Sequence, residues 1–172
     1  LHEEKLPGKK ALIATTNGKS VKKYGYLAAL EKELDTAGIA YELFDQIRPN
    51  PTSDNVMDGA ALAKKTGCDF AIALGGGSVM DCCKCIALMM TNDGDIWDYS
   101  LSVNGGKKQP AHNAAPIVAI TTSAGTGSEV DMASVITNEK TQEKTGIFFT
   151  SMFPTLSIVD SNLMMSVPPK FT

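Results

Sequence analysis

The chain lacks several features that mark whole classes of protein. No apolar stretch approaches the ~20 residues that span a bilayer, and the first ten residues, LHEEKLPGKK, contain no apolar signal core. Its 16 basic and 19 acidic residues give a formal net charge of −3, so no basic field favours nucleic acid or an anionic membrane. We therefore expect a cytoplasmic protein with neither of these partners.

Histidine and cysteine are scarce, which limits metal and disulfide chemistry. His2 and His112 lie far from the four cysteines in sequence, whereas zinc sites need paired clusters of ligands. Cys82 and Cys83 are adjacent and poorly placed to bridge each other, and the cysteine content is too low for a small secreted scaffold. We expect reduced cysteines that mostly pack in the core.

The hydrophobic pattern alternates between strands and helices. Apolar runs predict strands at 10–16, 40–45, 69–74, 116–121, 133–138, 144–149 and 156–160. Helical spacing predicts helices over 21–37, 55–66 and 79–91, and residues 100–115 are expected to form an exposed excursion. This order predicts an α/β fold, Rossmann-like, with a mostly parallel sheet covered by helices on both faces.

Three turns rich in glycine and hydroxyl residues follow predicted strands. They are TTNGKS at 15–20, GGGS at 75–78 and TTSAGTGSE at 121–129. Ligands of open α/β sheets bind beyond the carboxyl ends of the strands, and the free backbone N–H groups of a strand-to-helix turn suit phosphate. A single such turn is as often a connection without a ligand, but three on one edge predict a groove for a dinucleotide.

Two common phosphate-binding motifs do not fit these turns. GKS at 18–20 ends like a P-loop, but Ile13 stands where that motif needs its first glycine. Neither TTNGKS nor GGGSVM completes the Rossmann fingerprint G-x-G-x-x-G. The sequence therefore predicts a dinucleotide fold outside that fingerprint.

Six segments of the sequence carry a resemblance to a known family. They are, in order, PGKKALIATTNGKSVKKYGYL, FDQIRPNPT, GGGSVMDCCK, GDIWDY, TTSAGTGSEVD and FPTLSIVDSNLMMSVPP. Together they resemble the iron-containing alcohol dehydrogenases, most closely the butanol-dehydrogenase-like members. The resemblance implies a dehydroquinate-synthase-like nucleotide-binding domain, followed by a helical domain that supplies an aspartate and histidines to a metal, iron or zinc.

The sequence ends at VPPKFT, before the first expected metal ligand. Residues 1–172 are therefore expected to be a dinucleotide-binding domain, a fragment or a truncated gene product, with the helical domain lying after residue 172. No metal ligand and no catalytic residue is expected within this sequence. The C-terminal apolar residues would face the helical domain, and without it they are expected to form an exposed patch; they are Leu163, Met164, Met165 and Val167. Such a patch is suited to self-association, so we expect a homo-oligomer.

The resemblance assigns cofactor contacts to residues that match its motifs. Gly76, Gly77 and Ser78 would hold the pyrophosphate. The adenine and ribose would be lined by Thr122, Ser123 and Thr126. Lys144 would reach the ribose or a phosphate, with an exposed hairpin lysine as the alternative, and the residues expected to pack on the cofactor are Val135 and Leu163.

Two further pairs of residues have an open interpretation. Asp81 and Lys84 match the D-x-x-K of the family, but pairing on a helix surface explains the spacing almost as well. Trp97 and Tyr99, in GDIWDY, are expected near the groove or, as the alternative, as an anchor between surface and core.

Cofactor preference depends on the loop after the first strand. A Rossmann interpretation from the residues alone selects Asp45, at the end of the second strand, for a ribose hydroxyl and thus NAD. In the family that the sequence resembles, the discriminating residue instead follows the first strand. Here that loop contains no carboxylate to repel a 2′-phosphate, which favours NADP with NAD as the alternative; its residues are Asn17, Gly18, Lys19 and Ser20.

The resemblance implies hydride transfer between NADP(H) and a small alcohol or aldehyde, whose oxygen the metal polarises in the complete enzyme. This chain would bind the dinucleotide without turnover of its own. One alternative is a truncated, non-catalytic paralogue that acts as a binding or interaction module. Another is a dehydroquinate-synthase-like or glycerol-dehydrogenase-like enzyme, which the spellings GDIWDY and AGTGSE disfavour.

Overall fold

The computed structural model describes residues 6–165 and 167, apart from the side chain of Lys19. Its strands are β1 Lys10–Thr16, β2 Ala40–Ile47, β3 Phe70–Gly75, β4 Ile117–Thr121, β5 Ala133–Asn138, β6 Glu143–Phe148 and β7 Leu156–Ile158. Its helices are α1 Lys19–Lys23, α2 Tyr26–Ala37, α3 Ser53–Thr66 and α4 Gly77–Thr91. Short 3₁₀ turns occur at Ile96–Tyr99, Ser128–Val130, Thr150–Met152 and Ser161–Met164.

Five strands form a parallel sheet in the order β2-β1-β3-β4-β7. Ile13 of β1 lies opposite Leu43 of β2 on one side and Ile72 of β3 on the other. β5 and β6 form a separate antiparallel hairpin. The predicted α/β architecture with a mostly parallel sheet is confirmed.

The sheet is covered on both faces because its strands are apolar on both sides. Successive residues of a strand face opposite sides of the sheet. Leu12 and Ala14 contribute to the core beneath α3 and α4, whereas Ala11 and Ile13 contribute to the core beneath α1 and α2. β3 is buried along its whole length, as expected for a central strand of a parallel sheet.

The predicted helix over 21–37 is two helices in the structure. Gly25 has a φ of 75°, a left-handed conformation that glycine adopts without steric cost, and it separates α1 from α2. Gly38, with a φ of 67°, ends α2 at the predicted place. α3 begins earlier than predicted because Thr52 caps it: its Oγ1 accepts a hydrogen bond of 3.2 Å from the Asn55 backbone N–H.

The GDIWDY segment forms a 3₁₀ turn whose two aromatic side chains are buried in the core below α4. Tyr99 also donates a 2.7 Å hydrogen bond to the Asp93 carbonyl. Of the two interpretations given for Trp97 and Tyr99, the structure supports the anchor between surface and core. Residues 100–115 form a largely exposed excursion without helix or strand, as predicted.

The C-terminal apolar patch is less exposed than predicted. Met165 is 81% exposed, but Leu163, Met164 and Val167 are partly buried, and Leu163 packs against the core beneath α2. Within the described residues, no helix is both long enough and apolar enough to cross a membrane.

Candidate functional site

Two adjoining cavities lie at the carboxyl edge of the parallel sheet, on either side of the start of α4. The first has a volume of about 330 Å³ and the second about 220 Å³. Both are lined by Gly77 and Ser78, so the N-terminus of α4 is common to the two. The strand order reverses direction between β1 and β3, and such a switch point is where open α/β sheets bind ligands.

The GGGS turn leads from β3 into the first turn of α4. Gly76 is the N-cap residue of this 15-residue helix, and the first N–H groups of a helix have no partner within it. Those N–H groups, together with the positive end of the helix dipole, favour a phosphate beside Gly76, Gly77 and Ser78. These are the residues predicted to hold a pyrophosphate.

The TTSAGTGSE turn contacts the GGGS turn closely, as the sequence predicted for two turns on one edge. A Cβ at Gly76 would lie 2.7 Å from the Ser123 Oγ, and one at Gly77 would lie 3.1 Å from the Thr126 Cγ2. The Thr122 backbone N–H donates a 3.0 Å hydrogen bond to the Gly75 carbonyl. Glycine at both positions permits this approach without displacing Ser123 or Thr126, so the backbone of the turn stays open where a dinucleotide needs it.

Asp81 forms part of the wall of the first cavity and is held by two hydrogen bonds. Its Oδ1 accepts from the Ser128 hydroxyl at 2.9 Å, and its Oδ2 accepts from the Val135 backbone N–H at 3.1 Å. Burial raises the pKa of the Asp81 carboxyl, while these two donors and the nearby Lys84 ammonium oppose the rise. A partly desolvated carboxylate therefore faces the cavity.

Lys84 is buried rather than paired with Asp81 on a helix surface, so the helix-surface interpretation is wrong. The residue is 1% exposed. Its Nζ donates to the Asp131 carboxylate at 2.7 Å, to the Ser128 hydroxyl at 3.0 Å and to the Ala133 carbonyl at 2.9 Å. α4 is apolar on most of its circumference, so this lysine has no exposed face to occupy, and it ties α4 to the segment before β5.

The β5–β6 hairpin supplies the opposite wall of the first cavity. Val135 and Lys144 both line it, and the Lys144 Nζ donates to the Asn50 Oδ1 at 2.9 Å across the rim. The Thr137 backbone N–H donates to the Pro51 carbonyl at 2.9 Å, which docks the hairpin on the loop after β2. Both predicted hairpin residues therefore face the cavity that begins at α4.

Other predicted contacts lie outside the two cavities. Asn17 and Ser20 are exposed where α1 begins, and the Gly18 backbone N–H donates to the Thr16 Oγ1 at 3.1 Å. Thr16 itself lines the second cavity. Lys19 belongs to the same loop, but its side chain is outside the described part of the structure. Thr122 and Ser123 line neither cavity and instead contact the GGGS turn at Gly75 and Gly76.

Leu163 lies on the other face of the sheet from α4. It lines an apolar groove of about 170 Å³ with residues from the ends of three strands, Leu74, Ile120 and Ile158. The structure therefore does not bring Leu163 into the cavities that contain Gly77, Val135 and Lys144.

Asp45 has a partner and is not free to meet a ribose. Its carboxylate is paired with the Lys22 ammonium, and the hydrogen bond from Lys22 lowers the pKa of Asp45. The choice of the loop after β1 over Asp45, which rested on the family resemblance, remains a prediction.

Several lining residues were not predicted as cofactor contacts, and the polar ones among them include Arg48, Asn50, Ser128 and Asp131. The sequence contained a signal for Ser128 because it belongs to the glycine-rich turn, and for Asp131 because it follows that turn closely. Arg48 and Asn50 lay in a segment interpreted only as a proline-rich loop.

The three cysteines of α4 are free and buried, as predicted. Burial raises the pKa of the Cys83 and Cys85 thiols to about 12 and that of Cys82 well above its ordinary value. Thiolate chemistry is therefore suppressed behind the GGGS turn. Among the described residues, no group of three or more histidine, cysteine or carboxylate side chains lies close enough together to hold a metal ion.

Comparison with known proteins identifies the family. The model of the iron-containing alcohol dehydrogenases matches residues 2–161. This chain belongs to the iron-containing alcohol dehydrogenase family. The resemblance carried by the six segments is thereby confirmed.

Relatives with known names support the same assignment. The chain is 39% identical over 167 residues to a 1,3-propanediol dehydrogenase of Citrobacter freundii, covering 97% of this chain and 42% of the relative. It is 37% identical over 172 residues to a probable NADH-dependent butanol dehydrogenase of Bacillus subtilis, covering 100% of this chain and 43% of the relative. The chain thus spans about two fifths of the length of these relatives.

Solved structures share the fold described above. A crystal structure of NADH-dependent butanol dehydrogenase A from Thermotoga maritima superposes with a TM-score of 0.88 at 34% identity, covering 95% of this chain and 40% of that one. An alcohol dehydrogenase from an archaeal source in a Red Sea brine pool superposes with a TM-score of 0.91 at 36% identity, covering 95% and 42%. The α/β domain of this chain therefore corresponds to one part of larger family members.

Proposed function

We propose that this chain is the dinucleotide-binding part of an alcohol dehydrogenase that transfers hydride between NAD(P)(H) and a small alcohol or aldehyde. The observation that carries the proposal is the pair of cavities joined at the N-terminus of α4. A dinucleotide needs a phosphate site between two pockets, and Gly77 and Ser78 supply backbone N–H groups at that junction.

The residues of this chain would bind and orient the cofactor. The backbone at Gly76 and Gly77 would hold the pyrophosphate, and Val135 would pack against the ring system that enters the first cavity. Lys144 would exchange its Asn50 partner for an oxygen of the cofactor. When bound, the nicotinamide supplies the hydride acceptor or donor. The described residues contain no ligand set for a metal.

Preference for NADP over NAD is the narrower part of the proposal and rests on the loop after β1. That loop has no carboxylate at Asn17, and an aspartate there would repel a 2′-phosphate. Two of the relatives above have names that specify NADH, so the loop argues for a preference different from theirs. Asn17→Asp should therefore shift the ratio of affinities towards NADH, and an unchanged ratio would refute the role of the loop.

Calorimetric titration of the 172-residue chain with NADPH and then NADH tests the proposal. Saturable binding of either dinucleotide is the expected result. Gly77→Val should abolish it, because the new side chain would collide with Thr126, whose Cγ2 is 3.1 Å from a Cβ at Gly77. Ala28→Val is the matched control, since Ala28 is an exposed residue of α2 and lines neither cavity. Absence of binding by the unmodified chain would contradict the proposed function.

A further inference from the structure

The two cavities have different charges. The charged residues that line the first are Asp81, Asp131 and Lys144. Among the described side chains, the charged one that lines the second is that of Arg48. The junction between them is therefore flanked by carboxylates on one side and by a guanidinium on the other.

Arg48 is the only arginine of the sequence, and it is exposed. The structure gives the other nearby cations partners, since Lys84 is bonded to Asp131 and Lys144 to Asn50. Within residues 6–165, no hydrogen bond or ion pair engages the guanidinium of Arg48. Its positive charge is thus available to a ligand at the second cavity.

The backbone at Arg48 is held in place although the side chain is free. The Arg48 N–H donates to the Asn55 Oδ1 at 3.3 Å, and the Asn55 Nδ2 donates to the Gln46 carbonyl at 3.3 Å. Asn55 lies in the first turn of α3 and is itself buried. The end of β2 is therefore fixed against α3, which holds the backbone of Arg48 at the cavity mouth, so that binding has to order only its side chain.

A phosphate group fits this arrangement better than it fits the first cavity. A guanidinium offers a planar set of donors that matches two phosphate oxygens, and the N-terminus of α4 adds N–H groups at the shared junction. On the other side, the first cavity contains the Asp81 and Asp131 carboxylates, and its cations already have partners: Lys84 is bonded to Asp131, and Lys144 to Asn50. The electrostatic difference thus directs the phosphates of an elongated ligand towards Arg48.

We propose that Arg48 binds a phosphate group of the dinucleotide and so fixes the direction in which the cofactor lies across α4. This inference rests on the proposed function. The phosphate is either the pyrophosphate, present in both cofactors, or the 2′-phosphate, present in NADPH alone.

Titration of the Arg48→Gln chain with NADH and NADPH tests the inference. A charge-assisted phosphate contact contributes about 1.5–3 kcal/mol, so its loss should weaken binding by roughly tenfold or more. Loss for both cofactors would identify the pyrophosphate, and loss for NADPH alone would identify the 2′-phosphate. Arg48→Lys should recover part of the affinity, because it restores the charge without the planar donors.

Lys65→Gln is the matched control for charge. Lys65 is an exposed residue in the last turn of α3. The 14 residues of this helix span about 20 Å, so Lys65 lies far from the carboxyl edge of the sheet. Removing its charge should leave the affinities for NADH and NADPH unchanged. Equal binding by wild type and Arg48→Gln would overturn the inference while leaving the proposed function intact. Failure of the wild type to bind either dinucleotide would overturn both.

Discussion

Replacement of Lys84 by methionine tests how the wall of the first cavity is held. Methionine has nearly the same length as lysine but no ammonium group, so packing within α4 is retained while three donated hydrogen bonds are lost. Their acceptors are the Asp131 carboxylate, the Ser128 hydroxyl and the Ala133 carbonyl. We expect the variant to unfold more easily than the wild type.

The size of the effect follows from the exposure of each partner. The side chain of Asp131 is 45% exposed, so water can replace much of the hydrogen bonding that this carboxylate loses. The contribution of the Lys84–Asp131 pair to the free energy of unfolding is therefore reduced. The Ser128 side chain is buried, and the Ala133 carbonyl bond is partly buried. Losing charge-assisted bonds costs about 1.5–3 kcal/mol each, partly offset because an ammonium no longer has to be desolvated. We expect a net loss of roughly 2–4 kcal/mol, equivalent to a melting temperature lower by roughly 5–12 °C.

Urea unfolding followed by circular dichroism measures this loss, with an unchanged m value showing that the native fold is retained. Lys140→Met is the matched control. The Lys140 side chain is 79% exposed and its Nζ lies 3.9 Å from the Asp54 Oδ1, a pair expected to contribute less than about 1 kcal/mol. A Lys84→Met chain as stable as the wild type would refute the reasoning, because it would show that desolvation of the ammonium cancels its three bonds.

Three other properties can be measured on the same chain. Burial raises the pKa of Asp81 above 3.8, so the folded state binds more protons than the unfolded state. The free energy of unfolding should therefore fall as pH rises through the folded pKa of this carboxyl. Urea unfolding of Asp81→Asn from about pH 4 to about pH 7 should lack that decline, and a profile parallel to the wild type would contradict it. The sequence has four cysteines, and in the native chain only the partly exposed Cys68 should react with a thiol reagent. In urea all four should react. Reaction of the α4 thiols in the native chain would show that the helix is not buried. A Cβ at Gly75 would lie 2.6 Å from the Val79 Cγ2 and 2.8 Å from its Cβ, so Gly75→Ala should destabilise the chain by about 1–3 kcal/mol, and a neutral result would mean that α4 shifts freely against β3.

The sheet could be predicted from the sequence because each strand is an apolar run closed by a turn. β1 has the predicted bounds, and α2 ends at Ala37, the predicted last residue of the helix. The break at Gly25 was missed because the apolar spacing continues across it from Val21 to Leu27. A single glycine in a helical pattern is compatible with a continuous helix, and only its φ of 75° shows that the chain turns there.

The candidate site was predicted only where it depends on the ends of strands. The GGGS and TTSAGTGSE turns meet because parallel strands end at one edge, which the order of elements already implies. Arg48 follows β2 directly and also lies at this edge, but its segment was interpreted only as a proline-rich loop. Asn50 could not be placed in the same way, since its loop is docked on β5 by a hydrogen bond from the Thr137 N–H to the Pro51 carbonyl. That contact joins residues distant in sequence, and no local pattern encodes it.

Lys84 had a signal in the sequence that was overlooked. Its neighbours in MDCCKCIALMM are apolar around the whole helix rather than along one face, and a helix of that kind is buried. A lone lysine within it must therefore find internal acceptors, because it cannot reach water. The spacing to Asp81, which suggested a surface pair, was a weaker indication than the composition of the helix.

Two of the six segments that carry the family resemblance, GGGSVMDCCK and TTSAGTGSEVD, form the two sides of one interface. Along α4, residues three or four apart lie on the same face, and this face contacts the segment 126–135. The contacts, in order, join Gly77 to Thr126, Asp81 to Ser128, Lys84 to Ser128 and Asp131, and Cys85 to Ser134. Because each of these contacts joins a specific residue of α4 to this segment, a shift of one helical turn would break them together. The register of α4 against this segment therefore fixes both the width of the first cavity and the position of the Asp81 carboxylate within it.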